Sequence, residues 1–181
     1  MKKIGILLAE GFEEVEALTA ADICRRAGII TGLISITGSK TVTGAHKITV
    51  QADELFENIV FEGLDGIVLP GGMPGTENLR VYPGVKEKVR MFYDSGRLTA
   101  AICAAPGIFG EMGILKGRDA AVYPGCEAGE DVNWLDRSTV VSGHVITGRG
   151  PGAAACFALE LVKFLMGEEK AEEIKDSFMM P

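Results

Sequence analysis

The chain has 181 residues, 47% hydrophobic and 24% charged, an ordinary globular balance that excludes intrinsic disorder and predicts a sizeable core. Its 18 basic and 25 acidic residues leave a net charge of −7. That charge argues against a nucleic-acid surface, which needs a dense basic footprint, and against binding to anionic membranes. No apolar run reaches the length of a membrane span, and the residues after Lys2-Lys3 are too short and polar for a secretory signal. Cys24, Cys103, Cys126 and Cys156 form no C-x-x-C pair, so the expectation is a cytoplasmic protein with reduced thiols and no zinc ribbon.

Residues Lys3–Ala9 are a short apolar run before Glu10-Gly11 and predict a buried parallel strand. A helix is expected from Glu14 to Ala27 with Gly28 as its stop, then a second strand over Ile29–Ile36. Lys40–Gln51 alternate around Thr43-Gly44, which predicts a hairpin attached to the sheet. Gly66–Leu69 read as the next buried strand, Val85–Tyr93 as a helix and Leu98–Ile102 as another strand. Pro106–Met112 suit a helix, since Pro fits a first turn. Ala120–Tyr123, Thr139–Ser142 and Val145–Thr147 are short strand candidates. Ala154, Phe157, Ala158, Leu161, Val162 and Leu165 fall on one helical face, and Glu168–Asp176 predict a final polar helix. Alternating strands and helices define an α/β domain over residues 1–181, with a mostly parallel sheet and helices on both faces.

Ligands in such folds bind beyond the carboxyl ends of the strands. At one such end lies Ala101-Ile102-Cys103-Ala104-Ala105, a nucleophile-type residue flanked by small ones. A sharp strand-to-helix turn needs small neighbours to push one side chain out, as in a nucleophile elbow. The other reading is a buried structural cysteine in an Ala-rich strand. Glu13-Glu14-Val15-Glu16 opens the first helix. Acids there complement the helix dipole, but one carboxyl turned inward would serve as a proton shuttle for Cys103. Pro70-Gly71-Gly72-Met73-Pro74-Gly75 lacks the G-K-[ST] ending and the G-x-G-x-x-G spacing, so a nucleotide site is not expected, and cysteine chemistry of this kind needs no metal or other cofactor. The Gly72 amide remains open to an oxyanion. Gly148-Arg149-Gly150-Pro151-Gly152 reads as a turn with a structural Arg. His46 and His144 read as structural or exposed rather than catalytic, because neither adjoins a strand's carboxyl end.

Four segments together resemble the ThiJ/PfpI family, and within it the Parkinsonism-associated deglycase branch with its bacterial relatives. They are the segment from Glu10 to Glu16, Leu69-Pro70-Gly71-Gly72, the segment from Ala100 to Pro106, and Gly148-Arg149-Gly150-Pro151-Gly152. The resemblance runs from Lys3 to about Lys175. It implies a flavodoxin-like three-layer sandwich, a homodimer, and Cys103 as the reactive, readily oxidised elbow residue. It further implies Glu16 as the thiol's hydrogen-bonding partner and the Gly72 and Ala104 amides as an oxyanion site, with Gly71 beside them. The implied activity is glutathione-independent removal of small reactive dicarbonyls, or of early glycation adducts. The alternatives are a redox sensor or chaperone that oxidises Cys103 without turnover, and a small acyl or amide hydrolase. Close relatives carry a His before a Pro near the cysteine; this chain has Tyr123 before Pro124. A phenol at its ordinary pKa is no general base at neutral pH, which leaves the proton work to Glu16. Ala104 stands where the protease-like branch has His, which counts against peptidase activity. Cys126 is either a resolving thiol for oxidised Cys103 or an unrelated loop cysteine.

Overall fold

The computed structural model describes residues 1–180. In chain order the elements are β1 (Lys3–Leu8), α1 (Glu14–Arg26), β2 (Ile30–Ser35), β3 (Thr41–Thr43), β4 (Thr49–Gln51), β5 (Glu54–Leu55) and β6 (Gly66–Leu69). Next come α2 (Gly75–Val81), α3 (Pro83–Asp94), β7 (Leu98–Ile102), α4 (Pro106–Glu111), β8 (Asp119–Ala120) and β9 (Asn133–Trp134). The chain then continues through β10 (Thr139–Ser142), β11 (Val145–Gly148), α5 (Ala154–Met166) and α6 (Glu168–Ser177).

Seven strands form one sheet in the order β10-β11-β7-β6-β1-β2-β5. All neighbours pair in parallel except β10 with β11. A strand's side chains alternate between faces, and the core divides accordingly. Ile4, Ile6, Leu8, Val68, Leu98, Ala100 and Ile102 face α1, α5 and α6. Leu7, Ile67, Leu69 and Ala101 face the other layer, where Val85, Val89 and Phe92 of α3 pack with Ile108 and Phe109 of α4. The result is the expected flavodoxin-like three-layer sandwich. The apolar stripe of α5 is buried at Phe157, Ala158, Leu161 and Val162, against α1 and the sheet. Among the described residues no helix is long and apolar enough to cross a membrane.

Two sequence expectations need correction. The Lys40–Gln51 hairpin is a separate two-stranded sheet, β3 with β4, and its loop spans residues 44–48 rather than turning at Thr43-Gly44. The short β5, unread in the sequence, takes the main-sheet edge beside β2 instead. Residues 121–123 are not strand: the Ala121 amide donates to the Thr147 hydroxyl at 2.8 Å and the Tyr123 amide to the Cys103 carbonyl at 2.8 Å. Helix α2 is also unread in the sequence, because the Gly- and Pro-rich segment before it conceals its start.

The order of β2, β1 and β6 places a topological switch between β1 and β6, since the chain leaves β1 to one side for β2 and later returns on the other. Such a switch opens a crevice at the carboxyl ends of the strands. The segments after β1, β6 and β7 converge there.

Candidate active site

Cys103 occupies the turn between β7 and α4. Its φ is +64°, a left-handed conformation that strains a residue carrying a Cβ. Backbone bonds on both sides hold it: its amide donates to Gly148 O at 2.9 Å, and its carbonyl accepts from Tyr123. Ala101, Ala104 and Ala105 are buried around it, which gives the turn the small neighbours that a nucleophile elbow needs. Cys103 itself is 9% exposed.

Glu16, in the first turn of α1, is 1% exposed. Its Oε2 accepts from the Gly71 amide at 2.7 Å, while Oε1 is buried without a hydrogen-bond partner. Burial disfavours the carboxylate and pushes its pKa up to about 7. The Gly71 amide and the Cys103 thiol oppose that rise, and the charge of Glu13 adds to it. Burial also raises the Cys103 thiol, to about 12 with the help of the Glu16 charge, while the amides of Gly72 and Ala104 favour the thiolate. The two groups share their titration: once Glu16 is protonated, its charge no longer holds the thiol's proton in place. Near neutral pH the pair therefore loses its proton chiefly from Glu16, while the thiol holds its own more tightly.

The loop after β6 makes this contact possible. A Cβ at Gly71 would lie 2.5 Å from Cys103 Cβ, 2.9 Å from Glu16 Oε2 and 3.0 Å from Cys103 Sγ. Gly72, at φ +90°, presses against the backbone of residues 11–13, so a side chain there would overlap main-chain atoms. Glu13 N donates to Gly71 O at 2.9 Å and Gly75 N to Gly11 O at 3.1 Å, which ties the β6 loop to the β1–α1 turn.

Tyr123 is half exposed and joins this centre through its backbone, with its ring edge near Gly150. That ring lines a cleft of about 640 Å³, together with Pro124, Ser138, Arg149 and residues 150–153. Cys103 is not in its lining. Arg149 forms an ion pair with Asp136, in keeping with a structural Arg. Cys126 is partly exposed and its carbonyl faces Gly107 of α4; all four cysteines are free thiols. His144 Nε2 pairs with Tyr93 O at 2.9 Å, a structural position.

His46 is exposed and structural, as the sequence predicts, but it does lie near a strand's carboxyl end. The 44–48 loop folds onto the start of α1, beside the carboxyl end of β1, and His46 Nδ1 meets Glu14 Oε2 at 2.9 Å and Glu13 Oε2 at 3.3 Å. Nothing in the sequence joins residues 32 positions apart. The donor atoms of these three side chains lie within 4.8 Å of one another, a spacing suited to a metal ion. However, Glu14 already takes the His46 ring and the amides of His46 and Ile48, and Glu13 caps α1 at the Val15 amide. The cluster is a hydrogen-bonded clamp on the loop.

The fold and the turn at Cys103 define an α/β protein with an elbow-type cysteine. The chain belongs to the DJ-1/PfpI family, whose model matches residues 2–164. It is 33% identical to protein dj-1beta of Drosophila melanogaster over 97% of this chain and 95% of the relative. It is 31% identical to a Pyrococcus abyssi protein named a deglycase, over 90% of this chain and 99% of the relative. Against DJ-1 homolog B of Arabidopsis thaliana it is 35% identical over 99% of its length, but spans only 42% of that protein. The crystal structure of a DJ-1 superfamily protein from Salmonella typhimurium superimposes with a TM-score of 0.94 at 33% identity, covering both chains fully.

Proposed function

We propose that the chain is a cysteine-dependent enzyme acting on small reactive dicarbonyls such as methylglyoxal, or on the early glycation adducts they form. The observation that carries this reading is the buried Glu16 carboxyl, its pKa pushed up to about 7 by burial, set against the Cys103 thiol beside the Gly72 and Ala104 amides. The Pyrococcus abyssi relative's name, deglycase, is consistent with it.

The Cys103 sulfur adds to the aldehyde carbon, the C=O π bond opens, and the thiol proton passes to the new oxygen to give a hemithioacetal. The Gly72 and Ala104 amides hold that oxygen while it is negative. Glu16, as carboxylate, takes the proton from the former aldehyde carbon and returns it to the adjacent carbonyl carbon through an enediol, which leaves a thioester. Water cleaves the thioester, releasing the hydroxy acid and restoring the thiol. No oxidant or reductant enters. The Gly71 amide positions the Glu16 carboxyl, and Tyr123 adjoins the site through its backbone bond to Cys103. As in the family resemblance, two copies of the chain are expected to pair, which sedimentation of the purified protein checks.

The test is methylglyoxal consumption by purified protein beside a Cys103→Ser control, with hydroxy acid measured as product. Many turnovers that depend on Cys103 support the enzyme. Consumption that stops near one equivalent, or persists in the control, refutes it. The oxidation-sensing reading, in which the same amides and Glu16 hold a Cys103 sulfinate, then takes its place.

A further inference from the structure

Glu13, Glu14 and His46 are titratable groups beside the pair that the proposed reaction leaves unused. The two carboxyls are buried, at 7% and 3% exposure, whereas the His46 side chain is 68% exposed. The 44–48 loop closes over Glu14 because residue 44 is glycine; a Cβ there would overlap the Glu14 carboxyl. Glu14 Oε1 accepts from the amides of His46 at 2.8 Å and Ile48 at 3.3 Å, and Oε2 meets the imidazole. The loop thus delivers one cationic side chain to two buried carboxylates. Glu13 stands one helical turn before Glu16, where side chains three apart are neighbours.

The charged groups around this cluster are few. His46 faces Glu13 and Glu14 of α1. Its chain neighbour Lys47 is exposed, as is Glu10, which accepts from the Thr43 amide near the same loop. Glu16 is faced by Glu13 from its own helix, by Cys103 from the β7–α4 turn, and by the uncharged Gly71 amide from the β6 loop.

We propose that His46 is a positioning residue for the Glu16–Cys103 pair, setting the pair's proton affinity through the buried carboxylates of Glu13 and Glu14. The hydrogen bond to Glu14 and the charges of Glu13 and Glu14 hold His46 protonated above its ordinary range. Protonated, it offsets the Glu13 charge, and Glu16 releases its proton more readily. Neutral, it leaves the Glu13 field uncompensated, and Glu16 keeps its proton to higher pH. The inference rests on Glu16 and Cys103 acting as one titrating pair, but its test needs no turnover.

The experiment follows alkylation of Cys103 by iodoacetamide across pH, quantified on the Cys103 peptide by mass spectrometry so that Cys126 and Cys156 do not contribute. Two variants are compared with the parent, His46→Gln, which keeps a hydrogen-bond donor, and His46→Lys, which keeps a positive charge at every pH used. The midpoint is expected to rise by about half a pH unit in His46→Gln and to fall or hold in His46→Lys. In a Glu13→Gln background the effect of His46→Gln is expected to shrink, because His46 is then less protonated near neutrality. A loop-packing role alone would move both His46 variants the same way, and that result overturns the proposal, as does an unmoved midpoint in His46→Gln. If parental Cys103 shows no titration through the neutral range, the pair itself is refuted and the inference falls with it. Loss of methylglyoxal turnover with the opposed midpoint shifts intact would refute only the proposed enzyme. Thermal melts of each variant establish that it is folded.

Discussion

Replacing Glu16 by Gln separates the cost of burying this carboxyl from its chemical use. Burial lifts its pKa from 4.5 to about 7. At roughly 1.4 kcal/mol per pH unit, that difference corresponds to about 3 kcal/mol of destabilisation once Glu16 is ionised. The folded pKa is raised, so between the two values the folded chain binds more protons than the unfolded one. The group's stabilising contribution is therefore complete below 4.5 and is lost as pH rises through about 7. Gln keeps an acceptor for the Gly71 amide and cannot ionise. Urea midpoints measured at about pH 5 and about pH 8.5 should show the parent losing about 3 kcal/mol relative to Glu16→Gln, with all other titrating groups cancelling between the two proteins. The same variant removes the charge that helps to raise the thiol. Alkylation of Cys103 at neutral pH should accelerate by about tenfold, while methylglyoxal turnover should fall by roughly 10²–10⁴ with the proton transfer gone. A parent and variant whose stabilities run parallel across this pH range would refute the raised pKa, and with it the role of Glu16 in the pair.

Gly71→Ala places a methyl group inside contact distance of both Cys103 and Glu16; we expect a stability loss of about 1–3 kcal/mol in urea and a turnover loss of about 10²-fold from displaced groups. Thr147→Val leaves the buried Ala121 amide without its acceptor and should cost about 1–3 kcal/mol, with Tyr123 loosened against Cys103 and faster amide exchange over residues 121–123. Phe157→Ala empties a fully buried site between α5 and the sheet and should lower stability by about 3–5 kcal/mol without changing the pH midpoint of Cys103 alkylation.

The central strands were legible because β1, β6 and β7 are buried on both faces, and such strands read as unbroken apolar runs. Helix α5 was legible because one face of it meets the core at helical spacing. The elbow was half legible: small residues around Cys103 suggest a tight turn, but an Ala-rich buried strand end has the same composition. The loop of β3 and β4 misled because alternation predicts a strand pair but not what the pair joins. At its first end, hydrogen bonds from residues 11 and 45, to Thr43 O and Phe12 O, tie it to the turn after β1 rather than to the main sheet.

The sequence by itself determined the layers, since apolar periodicity and turn residues act over a few positions and leave their mark in composition. It also held the residues of the site, recognisable only as a set of motifs. Local patterning left Glu13, Glu14 and Glu16 equivalent and only the family resemblance singled out Glu16; the tertiary structure supplies the physical reason. The three differ by less than one helical turn, and it is the placement of α1 over the β6 loop that turns Glu16 to Gly71 and Cys103, and Glu14 to the 44–48 loop. It alone brought His46 to those carboxylates. Contacts across 32 or 55 residues depend on how packed layers bring distant turns together, and no local pattern encodes that.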